Sequence, residues 1–148
     1  MVERGFTLPE LMITLAIAAI LGTLAMPSMA GIIASQRSKN AASDLHAALT
    51  RTRSEAIKRN TEATLSPNTA AQWQSGWSIP TPGNAAQKLD DHAAIPNATI
   101  AGPANVIYLA NGRIKGNATP SFDIAVADVH RCVLVDLSGR PYQKSSAC

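Results

Sequence analysis

Three histidines, two cysteines and a few acidic pairs are all the chain offers for a catalytic or metal centre, and they are scattered. His46 falls in a helical stretch, His92 follows Asp90 and Asp91 in a proline-rich segment, and His130 stands beside Arg131. No phosphate-binding loop, Gly-x-Ser-x-Gly, His-Glu-x-x-His or Cys-x-x-Cys occurs. A metal would have only His130 and the sulfurs of Cys132 and Cys148, short of the four ligands a structural zinc takes. No enzyme, metal or other cofactor is therefore expected. The acid that does need an explanation is Glu10, because an apolar run begins immediately after it.

The elements around Glu10 explain why. The chain has 148 residues and a formal charge of +3; 16% of residues are charged and 46% are apolar, which excludes a wholly disordered chain. From Leu11 to Gln36 there are 26 residues without a charge, more than the ~20 that cross a bilayer as a helix. A secretory signal would place its cleavage site after the apolar core, and Met26-Pro27-Ser28-Met29-Ala30 can be stretched to fit. That reading leaves Glu10 unaccounted for, although a carboxylate at mid-membrane costs about 2.5 to 3.5 kcal/mol on insertion scales. Pro9 suits a helix start, whereas Gly22 and Pro27 should kink or loosen the helix.

Beyond Arg37 the pattern turns amphipathic. Ala41, Ala42, Leu45, Ala48, Leu49, Thr52 and Ala56 recur at helical spacing, and Arg51, Glu55 and Arg59 form i,i+4 pairs on the opposite face. Asn60 is the expected stop, so a helix from Pro9 to Arg59 would run about 75 Å. Its first half must be covered by lipid or other subunits and its second half by a sheet. The cations from Arg37 to Arg59 allow a nucleic-acid contact, but they read first as a solvated flank near a membrane.

The rest reads as short strands: Glu62–Leu65, Gly76–Ile79, Val106–Ala110, Arg113–Lys115, Phe122–Val126 and Cys132–Leu137. Asn111-Gly112 predicts a two-residue hairpin, and Ser138-Gly139 a second turn. Pro80 to Pro103, with four prolines, predicts a surface loop. Trp73 and Trp77 suit core anchors. In a chain delivered across a membrane, Cys132 and Cys148 read as a disulfide, which would close a ~17-residue loop for about 3 kcal/mol.

Gly5-Phe6-Thr7-Leu8-Pro9-Glu10-Leu11 resembles the processing site of type IV prepilins and type II secretion pseudopilins. The resemblance implies that a prepilin peptidase cuts between Gly5 and Phe6, that the Phe6 amine is methylated, and that Glu10 pairs with the Phe6 ammonium of a neighbouring subunit. Further on, Ser54-Glu55-Ala56-Ile57-Lys58-Arg59-Asn60, Trp73-Gln74-Ser75-Gly76-Trp77, Asn111-Gly112-Arg113 and Ser138-Gly139-Arg140 resemble the GspH/FimT group of minor pilins and pseudopilins. The fold this resemblance implies is α+β and type IV pilin-like, a long N-terminal helix packed on a small antiparallel β-sheet head. Its segments would be a leader over 1–5, a transmembrane and filament-core helix over 6–34, the amphipathic half of that helix over 35–60, and the head over 61–148.

The resemblance further implies an inner-membrane protein with a periplasmic head that later enters an extracellular pilus. Its partners would be major and minor pilins at or near the tip. The alternative within the group is a pseudopilin of type II secretion. FimT-like members bind DNA through a C-terminal Gly-Arg-x-Arg stretch, and this chain departs from it: Gly139-Arg140-Pro141-Tyr142-Gln143-Lys144 has Tyr142 in place of the second arginine. Arg140 and Lys144 can meet phosphates and Tyr142 can stack on a base of double-stranded DNA, with Arg131, Arg113 and Lys115 widening the patch and Asp128 and Asp136 opposing it.

Overall fold

The computed structural model describes residues 7–148, with only the backbone of residues 23–28. Gly5 and Phe6, the expected processing site, lie outside them. The described residues form one helix, α1 (Leu8–Arg59), and eight strands: β1 (Ala63–Thr69), β2 (Gln72–Thr81), β3 (Asn84–His92), β4 (Thr99–Ala101), β5 (Val106–Tyr108), β6 (Ser121–Val126), β7 (Val129–Val135) and β8 (Pro141–Lys144).

Both ends of α1 are capped by residues that adjoin it. At the start, Glu10 supplies the acidic half of a capping box, its Oε2 accepting from the Thr7 N–H and hydroxyl at 3.1 and 3.0 Å. At the end, Asn60 adopts a left-handed conformation (φ 51°). Its N–H then reaches Ile57 O, and that of Thr61 reaches Ala56 O, in a Schellman closure. Between the caps α1 is continuous through Gly22 and past residues 23–28. The break expected at Gly22 and Pro27 is thus not an end of the helix, and the Pro27 side chain lies outside the described residues.

The chain divides into two compact units, Met1–Ile33 and Ala34–Cys148. In the first, the described apolar side chains of α1 are exposed on all sides, among them Leu8, Leu11, Leu15, Ile20, Ile32 and Ile33. Among the described residues no helix is long and apolar enough to cross a membrane, and the span expected over 6–34 runs through residues 23–28 outside them.

In the second unit the predicted stripe is the buried face: Ala41, Ala42, Leu45, Ala48, Leu49, Thr52 and Ala56 are all inaccessible. The Thr52 hydroxyl is satisfied by Ala48 O at 2.7 Å. Where one small antiparallel sheet was expected there are two four-stranded sheets, ordered β3-β2-β1-β5 and β4-β6-β7-β8. Their inner faces supply Leu65, Ile79, Val106, Tyr108, Phe122, Ile124, Val133 and Val135 to the same core as the helix stripe. Trp73 packs edge-on against Phe122 and donates to Pro103 O at 2.7 Å, while Trp77 stacks on His92.

The loop expected from Pro80 to Pro103 is largely strand. β2 continues through Pro80, turns, and pairs with β3, and β4 pairs with β6. Pro80 is tolerated because the β2–β3 register shifts on both sides of it. Arg51 does not pair with Glu55 as its spacing suggested. It crosses to β3, donating to Leu89 O at 2.9 Å and meeting Asp90 at 3.3 Å, and leaves Glu55 to Arg59 at 2.8 Å. Cys132 and Cys148 are disulfide-bonded, tying the C-terminal tail to β7.

Candidate functional site

Two loops of the same construction meet where α1 ends. In the first, Gly112 N–H donates to Leu109 O and Leu109 N–H to Arg113 O, both at 2.8 Å. Gly112 is left-handed at φ 76°. This is a three-residue loop with a glycine bulge rather than the two-residue turn that Asn-Gly suggested. Arg113–Lys115 accordingly contributes only a bridge, Tyr108 to Ile114. The second loop repeats the pattern, with Gly139 N–H donating to Asp136 O, Asp136 N–H to Arg140 O, and Gly139 at φ 82°.

The loops touch through these glycines, since a β-carbon on Gly139 would stand 2.0 Å from Gly112 O. Arg53 fastens the pair, donating from Nε to Gly112 O at 3.0 Å and from Nη2 to Ser138 O at 3.2 Å. Asp136 braces the second loop, accepting from the Ser138 hydroxyl at 2.6 Å and from Arg140 N–H at 2.9 Å. Those two donors, the Ser138 hydroxyl foremost, hold its carboxyl below the usual aspartate range. Tyr108 is buried beneath the loops, and burial pushes its phenol upward, so it stays neutral.

The second sheet leads from this end back along α1. Gln143 donates to Ala42 O and His46 Nε2 to Pro141 O. Two strand residues, about 6.7 Å, thus match four helix residues, about 6 Å, so β8 runs alongside the helix in the opposite direction. Pro141 and Gln143 face the helix, which turns Tyr142 and Lys144 outward, and Lys144 Nζ lies 6.0 Å from the Tyr142 ring centroid.

Arg140, Tyr142 and Lys144 are therefore exposed on one hairpin, and Arg113 is exposed on the loop that touches it. Arg131 is not part of this patch. Its guanidinium faces the helix and donates to Ser38 Oγ at 3.3 Å and Ser145 Oγ at 3.4 Å. Lys115 is drawn off by Glu62 at 2.9 Å. Among the described residues no group of three metal-ligating side chains gathers.

The family of the type II transport protein GspH matches residues 41–139, about two thirds of the chain. The chain belongs to the GspH family. The prokaryotic N-terminal methylation motif matches residues 1–26, ahead of the GspH region, and carries with it membrane anchoring and assembly with other pilins. Crystal structures of the type IV minor pilin FimU from Pseudomonas aeruginosa, in two space groups, align with TM-score 0.66 at 24% identity. They cover 74% of this GspH-family chain and 91% or 96% of their own, which establishes a shared minor-pilin fold. No curated protein matches the chain. Family and fold are those of structural subunits of type IV pili and their secretion counterparts.

Sequence reasoning missed Arg53, which stood only among the cations of a solvated face. The signal that would have found it is the repeated Gly-Arg after a polar residue, Asn111-Gly112-Arg113 and Ser138-Gly139-Arg140. The two loops that this repeat marks share one helix donor, Arg53.

Proposed function

We propose that this chain is a minor subunit of a type IV pilus. It waits in the inner membrane with its head in the periplasm, is cut between Gly5 and Phe6 by the prepilin peptidase, and enters the filament at or near the tip. The observation that carries this reading is the first half of α1, where leucines and isoleucines stand exposed on every side over Leu8–Leu21 and again at Ile32 and Ile33. A helix apolar all round is stable only inside lipid or a bundle of like helices, and processing beside Phe6 suits transfer from one to the other. Glu10 sets the register by meeting the new ammonium of a neighbour, and Gly22 and Pro27 supply a segment that can loosen in the bundle. Finding the chain in sheared filaments, in a form lacking residues 1–5, supports this. A deletion that leaves piliation and transformation intact but blocks protein secretion would instead make it the type II secretion pseudopilin that the GspH match suggests.

The head also suits weak DNA contact, because Tyr142 is 41% exposed between Arg140 and Lys144 with Arg113 nearby. Two or three phosphate contacts predict modest affinity that falls steeply with salt. Purified oxidised head, residues 34–148, should retain duplex DNA at low salt and release it as salt rises. The Arg140→Ala, Lys144→Ala double variant should not retain it. No retention by the folded wild type removes the DNA role and leaves the pilin role untouched.

A further inference from the structure

Within the second unit, cations gather around one serine near the start of its stretch of α1. Ser38 is fully buried, and Arg131 reaches it from β7, donating from Nε to Ser38 Oγ at 3.3 Å and from Nη1 to Ser145 Oγ at 3.4 Å. One guanidinium thus ties together α1, β7 and the tail that follows β8. Arg37 and Lys39 flank Ser38 on the helix, Lys144 precedes Ser145, and all three are exposed. Gln143, donating to Ala42 O, holds β8 beside the same stretch of α1. The salt bridges of the head lie elsewhere. Among the described residues none of them takes Arg37, Lys39, Arg131 or Lys144. Asp128, in the turn from β6 to β7, is the acid nearest Arg131 along the strand pair's closed end and opposes the group in part.

We propose that this group of cations is a docking surface for the phosphates of anionic membrane phospholipids, and that it holds the head against the lipid while the chain is anchored there. Chain connectivity carries the argument. Arg37 follows Ile33, an exposed apolar side chain of the first unit, by four residues. Four residues span at most about 14 Å whatever their conformation. A bilayer with about 30 Å of hydrocarbon is about 40 to 45 Å thick with its headgroups, so a phosphate-bearing layer of about 5 to 7 Å lies on each side. An anchored chain therefore keeps Arg37 and Lys39 within reach of that layer, and Arg131 and Ser145 tie Lys144 to the same place. Each Lys or Arg beside an anionic lipid surface adds about fivefold to binding, and the gain fades within about 10 Å at 0.1 M salt. Duplex DNA carries phosphates too, but no covalent anchor delivers it to Arg37 and Lys39. The inference rests on the reading of the chain as membrane-anchored before assembly.

The test uses the full-length, disulfide-bonded chain reconstituted in vesicles of phosphatidylcholine alone and of an equal mixture of phosphatidylcholine and phosphatidylglycerol. A water-soluble amine reagent labels the lysines, and mass spectrometry reads each one. On the mixed vesicles, labelling of Lys39 and Lys144 should fall about fivefold relative to phosphatidylcholine and should recover at high salt. Lys58, about 30 Å farther along α1, should label equally on both. Arg37→Gln, an exposed substitution, should weaken the protection of Lys39 and Lys144 and leave the disulfide and the labelling of Lys58 as in wild type. Equal labelling of Lys39 and Lys144 on the two vesicles, by a wild-type chain that has inserted, overturns the proposal and leaves the pilin reading intact. Protection of these lysines by added duplex DNA and not by phosphatidylglycerol also overturns it, and assigns the face to nucleic acid. A wild-type chain that floats with neither vesicle overturns the membrane-anchored reading, and this inference with it.

Discussion

Arg53 donates from two nitrogens to the carbonyls of two different loops, and a planar fork is what makes that geometry possible. Hydrogen bonds from a charged donor contribute about 1.5 to 3 kcal/mol. Arg53→Ala should therefore destabilise the head by about 2 kcal/mol in chemical denaturation, and Arg53→Lys should recover little of it, because a single ammonium cannot serve both carbonyls. Gly139→Ala should cost more, about 3 kcal/mol or above, because a left-handed φ of 82° is combined with a β-carbon 2.0 Å from Gly112 O. If Gly139→Ala proves no worse than Arg53→Ala, the two loops are not in contact. Asp136 gives the pH dependence. Its folded-state pKa is depressed, so its contribution is complete above the unfolded value of about 3.9 and is lost as pH falls through the folded value. Asp136→Asn should be less stable than wild type near pH 6, and the gap should close as denaturation is repeated down to about pH 2.5.

The disulfide acts on an element rather than a residue. Cys132 and Cys148 are 16 residues apart, and the bond holds a tail that otherwise leaves the sheet after Lys144. Cys148→Ser should lower head stability by about 3 kcal/mol, an effect that reductant reproduces in the wild type and does not add to in the variant. At this scale the helix was legible in the sequence, because the stripe from Ala41 to Ala56 has one period and one buried face. The strands were legible where β-branched and aromatic residues alternate, as in β6 and β7. β3 was not. Asn84-Ala85-Ala86-Gln87-Lys88-Leu89-Asp90-Asp91-His92 has little intrinsic strand preference. It is an edge strand held by its backbone to β2 and by Arg51 reaching from α1 to Leu89 and Asp90, and its lysine and aspartates discourage a further strand from adding. Such tertiary contacts leave no local periodicity. The exposure of Arg140 and Lys144 followed from their position after a turn, whereas the inward aim of Arg131 depended on which face of β7 met Ser38.

Over the whole molecule, α1 passes through two compact units with opposite requirements: an apolar surface in one, a buried stripe in the other. Substitutions confined to one unit should leave the other nearly unchanged, as is usual for distant sites without shared partners. Glu10 gives the sharpest test of that division, because it has two possible roles that one substitution separates. In the single chain its carboxylate accepts from the Thr7 N–H and hydroxyl and so caps the helix start. In the filament its charge is proposed to meet a neighbour's ammonium. Glutamine fills the third position of a capping box as well as glutamate does but carries no charge. Glu10→Gln should thus keep the helix start and leave head stability within about 0.5 kcal/mol of wild type, yet be lost from sheared filaments as completely as Glu10→Ala. If Glu10→Gln assembles normally and Glu10→Ala does not, the cap alone is what assembly requires, and the charge has no part in the register.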